Sequence, residues 1–226
     1  VKKRSSKSRS FKTLLLVCLL LAVGPTALAH LPRLVTGDQA VKVQDPEVSQ
    51  AFYARLRGNP AVYEIRAPGE FLLYVNLLVP DVPGIATDIS ARVIRVGEDG
   101  GETILSFLDG ENSRWEPFFE PFAGDRYLIG PEFERTVLSG HYRIEVFNPQ
   151  NTGKYVLAVG KREAFTPAET LHTIKTLPAL KRDFFGKSPL TAFFNLVGLF
   201  MLISGAIFFV PLYLIARKAS RMRRRG

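Results

Sequence analysis

Cysteine is all but absent from this chain of 226 residues: the only one, Cys18, lies in an apolar run near the N-terminus. Beyond that run no disulfide, metal thiolate or thiol nucleophile can form, so stability has to come from buried apolar area. Histidine is nearly as scarce, with His30, His141 and His172 far apart in sequence. The chain lacks G-x-S-x-G, H-E-x-x-H, a P-loop and a Gly-rich dinucleotide fingerprint, which leaves no recognisable catalytic constellation. No Asn-x-Ser/Thr sequon occurs either. Acidic residues are missing from both ends, although the chain carries 21 of them.

That last absence explains the net charge of +9. Six basic residues fall in the first twelve positions and six in the last ten, whereas the stretch between holds 18 basic and 21 acidic residues, a net of −3. The basic ends are topology signals rather than a ligand surface, and nucleic-acid binding is not expected. Residues 1–29 have the three parts of a secretory signal: a basic run through Lys12, an apolar stretch at 14–23, and Ala27-Leu28-Ala29 after the helix-breaking Gly24-Pro25. The apolar stretch is too short for a hydrocarbon core of about 30 Å, so cleavage after Ala29 is expected. Residues 190–216 contain no charge and are long enough to cross a bilayer; the basic tail, residues 217–226, follows. The expected organisation is a signal peptide (1–29), an extracytoplasmic domain (30–165), a juxtamembrane connector (166–189), a transmembrane helix (190–216) and a cytoplasmic tail (217–226). The expected location is the cytoplasmic membrane, crossed once.

Asp45-Pro46-Glu47, followed by Val48, Phe52 and Leu56 at four-residue spacing and then Gly58, predicts one short N-terminal helix. Strands are predicted at residues 61–66, 70–79, 89–96, 103–108, 133–138, 141–147 and 154–159, separated by Gly, Pro and Asp. The fold class is mainly β: a two-layer antiparallel sandwich with Tyr142, Ile144, Val146, Tyr155, Leu157 and Val159 facing inward. In the connector, Thr166-Pro167 starts a helix that Pro178 stops. Leu180, Phe184 and Phe185 beside Lys181 and Arg182 lie either at the outer membrane surface or folded against the domain.

The last two strands run Gly140-His141-Tyr142-Arg143-Ile144-Glu145-Val146, a polar turn at 148–152, then Gly153-Lys154-Tyr155-Val156-Leu157-Ala158-Val159. This resembles the closing hairpin of pre-peptidase-type and GOLD-type sandwiches, and the resemblance implies a non-catalytic binding or accessory domain. The layout is also similar to that of GOLD-domain cargo receptors. Paired cysteines, a heptad segment and a diphenylalanine or dilysine tail signal are absent, so that function is not carried over.

Two groups of residues are candidates for chemistry. Cleavage after Ala29 would leave His30 with a free amine, and amine plus imidazole can chelate copper, with His141 as a further ligand; no other cofactor is indicated. The segment from Arg114 to Phe122 holds the only tryptophan. Trp115, Phe118 and Phe119, with Glu116 and Glu120 at the edge, form either an aromatic platform for a glycan or protein, or a plug of the sandwich. Glu116 and Glu120 are also a carboxylate pair of the kind used in glycoside hydrolysis. Asp125, Glu132 and Glu134 read as a solvated acidic edge. The functional expectation is an anchored, non-enzymatic module whose partner is the membrane together with an envelope protein or a glycan. The alternatives are a copper-binding envelope protein and a carbohydrate-active module.

Overall fold

The structure, a computed structural model, describes residues 30–164 and 166–223. The expected signal at residues 1–29, with Cys18, and the last three residues lie outside the described residues. In chain order the strands are β1 (Leu31–Leu34), β2 (Val41–Val43), β3 (Gln50–Arg57), β4 (Ala61–Ala67), β5 (Phe71–Pro80), β6 (Ser90–Val96), β7 (Glu102–Leu108), β8 (Glu116–Glu120), β9 (Asp125–Val137), β10 (Gly140–Phe147) and β11 (Thr152–Val159). They form a six-stranded sheet ordered β1-β3-β11-β5-β9-β8 and a five-stranded sheet ordered β2-β4-β10-β6-β7. The chain is mainly β, in two layers.

Alternation fixes which side chains fill the space between the sheets. Tyr142, Ile144 and Val146 of β10 and Tyr155, Leu157 and Val159 of β11 are all buried in one core with Phe52, Tyr63, Ile65, Leu73, Leu77 and Val93. β5 is buried along nearly its whole length, as its apolar run predicts. Two hydroxyls meet in this core: Tyr63 of β4 and Tyr155 of β11 share a hydrogen bond of 2.9 Å across the sheets. Tyr142 donates to the Leu138 carbonyl at 2.6 Å and pins the turn into β10.

Within the sandwich, four expectations need correction. First, the predicted short helix is a turn followed by β3. Asp45 has a φ of 47°, and Val48 N–H closes the turn on the Asp45 carbonyl at 2.8 Å. Four-residue spacing is two strand periods as well as about one helical turn, so Phe52 and Leu56, with Ala54 between them, face the core from a strand just as well. Second, the sheets are not wholly antiparallel: β1 runs parallel to β3, and β2 parallel to β4. Third, β10 and β11 do not pair with each other. β10 lies between β4 and β6, and β11 between β3 and β5, so residues 148–151 arch from one sheet to the other. Asn148 builds that arch, donating to Asp88 at 2.9 Å and accepting from Thr152 N–H at 3.0 Å. Fourth, Asp125 is fully buried rather than part of a solvated edge.

The connector folds against the domain. Helix α1 (Pro167–Ala179) starts where expected, its Glu169 N–H capped by Thr166 Oγ1 at 3.2 Å. Pro178 does not end the helical path, which continues through a π-helical turn at Leu180–Phe184. Leu177, Leu180, Phe184, Phe185 and Ala192 form a second core on the outer face of the six-stranded sheet, with Tyr127, Val156 and Ala158 beneath. A 3-10 turn (Pro189–Phe193) leads to α2 (Leu196–Arg223), a helix of 28 residues capped by Asn195, whose Oδ1 accepts from Gly198 N–H at 3.1 Å. The helix therefore begins six residues after the expected start of the span, because the Asn195 cap falls inside the segment. Among the described residues no helix is both long and apolar enough to cross a membrane.

Candidate functional site

The copper candidates lie apart. His30 precedes β1, and its Nδ1 shares a 2.7 Å hydrogen bond with Ser49 Oγ. Burial lowers its pKa from 6.5 to about 4, so the ring is neutral at pH 7. His141 sits on the other sheet, on the face turned away from the core, with Nε2 4.0 Å from Glu64. An amine–imidazole chelate at His30 would have to displace the Ser49 contact, and His141 does not converge on it. Among the described residues there is no group of three or more His, Cys, Asp or Glu side chains placed to hold a metal ion.

The aromatic segment is a strand, β8, rather than a loop. Trp115 packs partly buried against the main core, and its Nε1 donates to the Gly110 carbonyl at 2.8 Å. Gly130 leaves the room for it: a Cβ there would lie 2.6 Å from the indole. Phe118 packs against the second core near Tyr127, while Phe119 is exposed on the opposite side of the strand. Glu116 is exposed and pairs with Arg114 at 3.3 Å. Glu120 is half-buried, and its carboxylate accepts from Phe122 and Ala123 N–H at 2.7 and 2.8 Å. Burial raises its pKa, partly offset by those two amides. The two carboxylates are four residues apart on one strand, roughly 13 Å at about 3.3 Å per residue, and each has its own partners. They do not flank a shared cleft at the roughly 5–9.5 Å that glycoside hydrolysis uses.

Three features escaped the sequence reading. The first is a buried charge cluster beneath the connector. Lys181 (1% exposed) donates to Asp125 (0%) at 2.6 Å and also to the Ala123 carbonyl; Lys187 reaches the other Asp125 oxygen at 2.8 Å. Asn195 at the foot of α2 donates to the same Ala123 carbonyl at 3.0 Å. Tyr53 and Tyr127 pair beside it through their hydroxyls at 2.8 Å, and burial raises both pKa values. The second is a cleft of about 680 Å³ at the β1/β2 side, floored by Leu31, Val41 and Phe52 and bounded by Arg33 and Glu169. Arg33 and Glu169 form a two-pronged ion pair, both contacts 2.8 Å, that fastens α1 to β1. The third is the outer face of the five-stranded sheet. Arg143 bridges Glu102 at 2.6 Å and Glu145 at 2.9 Å, and Arg92 lies 4.6 Å above the Phe147 ring, which stacks on Phe107.

No family model matches the chain, and no curated protein matches it. Among solved structures it is similar to the pre-peptidase C-terminal domain of a collagenase from Bacillus anthracis, at 10% identity over 55% of this chain and 97% of that one, with a TM-score of 0.34. It is similar also to the mitogen from Yersinia pseudotuberculosis, at 14% identity over 54% and 92% and a TM-score of 0.31. A third is the surface-associated copper-binding protein CorA of Methylomicrobium album BG8, at 9% identity over 57% and 100% and a TM-score of 0.29. The likeness is a weak resemblance of β-sandwich fold and singles out no specific protein.

Proposed function

We propose that this protein is a non-enzymatic binding or accessory module held at the outer face of a cytoplasmic membrane, with residues 190–216 as its anchor and residues 217–226 in the cytoplasm. The observation that carries this reading is the docked connector. The chain leading into α2 is fastened to the six-stranded sheet by Lys181, Lys187 and Asn195, so the sandwich stands on one face and offers the other. Support for the anchor comes from α2, where Leu202, Phe209, Val210 and Tyr213 are exposed and in need of an apolar surrounding. The segment is uncharged and followed by a basic tail. A domain tethered in this way acts by raising the effective concentration of an envelope protein or glycan beside the bilayer. Two experiments test the reading. Alkaline phosphatase fused after Gly226 should be inactive, and high activity would refute the topology. Crosslinking and purification from intact membranes should capture one envelope partner reproducibly. Turnover of a glycan or peptide library by the purified chain, with no partner recovered, would refute the non-enzymatic role.

A further inference from the structure

The two sheets expose four edges, and three are protected. β1 contains Pro32 and is braced by α1 through Arg33 and Glu169. β8 contains Pro117 and is followed by Pro121. β2 is only three residues long. Proline, short length and a covering helix are the usual means by which natural sheets block strand addition. β7 has none of these three, and its one irregularity is a bulge in its pairing with β6. It is seven residues long, Glu-Thr-Ile-Leu-Ser-Phe-Leu, without proline or a basic residue. It pairs on one side with β6 and ends its sheet on the other. Ile104 is 60% exposed and Phe107 53%. Both project from the outer face, because a bulge at the β6/β7 pairing shifts the register between Ser106 and Ile104. The only charge in the strand, Glu102, is bound by Arg143 at 2.6 Å.

We infer that β7 is a self-association edge, at which a second copy of this chain adds its own β7 antiparallel and makes one continuous ten-stranded sheet. Three observations select a second copy over a foreign strand. Thr103–Leu108 carries no charge, so two copies meet without like-charge repulsion along the paired length. A two-fold axis between Leu105 and Ser106 sets Ile104 of each copy opposite Phe107 of the other, and these are the two large exposed apolar side chains of the strand. That axis runs perpendicular to the sheet. It leaves the outer faces of both six-stranded sheets, where the connectors dock, on one side of the pair. Both α2 helices then depart toward a single membrane. This last point rests on the anchored reading above; the edge pairing does not.

The test uses the full chain in detergent micelles, with mass measured by light scattering and Cys18→Ser as background. The wild-type chain should be a dimer. Ile104→Lys and Phe107→Lys, at exposed positions and with the fold checked by circular dichroism, should weaken dimerisation at least tenfold. Mixed Ile104→Cys and Phe107→Cys chains should form an intermolecular disulfide with each other more readily than either does alone. A monomeric wild type, a dimer unaffected by both lysines, or crosslinking without preference for the mixed pair would overturn the inference. High activity of the phosphatase fusion would refute the anchored topology and leave the detergent result standing.

Discussion

Asp125 and Lys181 meet out of water, and removing one of them should release the connector while leaving the sandwich folded. Asp125→Asn keeps the shape and deletes the charge that compensates both Lys181 and Lys187. Breaking a buried ion pair on one side costs about 3–5 kcal/mol, because the remaining charge stays buried without its counterpart. At about 1.4 kcal/mol per factor of ten, that is roughly two to three and a half orders of magnitude in the opening equilibrium. The cost should fall on the connector, since its own apolar contacts, Leu177, Leu180, Phe184, Phe185 and Ala192, form a core separate from that between the sheets. Amide hydrogen exchange on the full chain reads it directly: protection should fall across residues 176–195 and hold in β10 and β11. Lys181→Met alone should cost less, as Lys187 still holds Asp125, and Asp125→Leu with Lys181→Met should recover most of the loss. Less than a tenfold fall at residues 176–195, or an equal fall in β10, would refute the reasoning.

Ile144→Ala should destabilise the domain by about 2–5 kcal/mol in urea unfolding, since Ile144 is fully buried between the sheets; a change within about 0.5 kcal/mol would contradict the packing. Gly130→Ala should cost about 1–3 kcal/mol and shift the fluorescence of the only tryptophan, because the added methyl meets the indole at 2.6 Å. His30, with its pKa lowered to about 4, contributes stability that is complete above its unfolded value of 6.5 and is lost as pH falls to about 4. The loss amounts to about 3 kcal/mol, seen as faster exchange in β1, and His30→Gln should flatten that profile.

Seven strands were legible because β4, β5, β6, β7, β10, β11 and the second half of β9 alternate or are apolar throughout, with Gly, Pro or Asp between them. The others hide for separate reasons. β1 and β8 carry prolines, which argue against a strand unless it is known to lie at an edge. β2 has too few residues for a pattern. In β3 the spacing of Phe52 and Leu56 suits a helix as well as a strand, and only the pairing with β11 decides. The buried charge cluster was illegible because Asp125 and Lys181 are 56 residues apart and join only when the connector folds back. Glu116 and Glu120 looked like a pair because they are close in sequence; an extended backbone separates them. The sequence of β7 was readable, but its place at the end of a sheet is a property of topology.

The arch at residues 148–151 bears on how the chain is made. β10 is the strand that joins β2-β4 to β6-β7, and β11 joins β1-β3 to β5-β9-β8. Before residues 140–159 are available, each layer is two separate fragments, and the tyrosine pair across the core has only one member. Neither sheet can therefore be completed, nor the sandwich closed, until the last two strands have been made. The strand that completes the six-stranded sheet is followed directly by the connector that packs on it, so the two cores close one after the other at the end of the domain. A chain truncated before residue 140 should be left as open sheet fragments for quality-control proteases rather than as a partly functional domain.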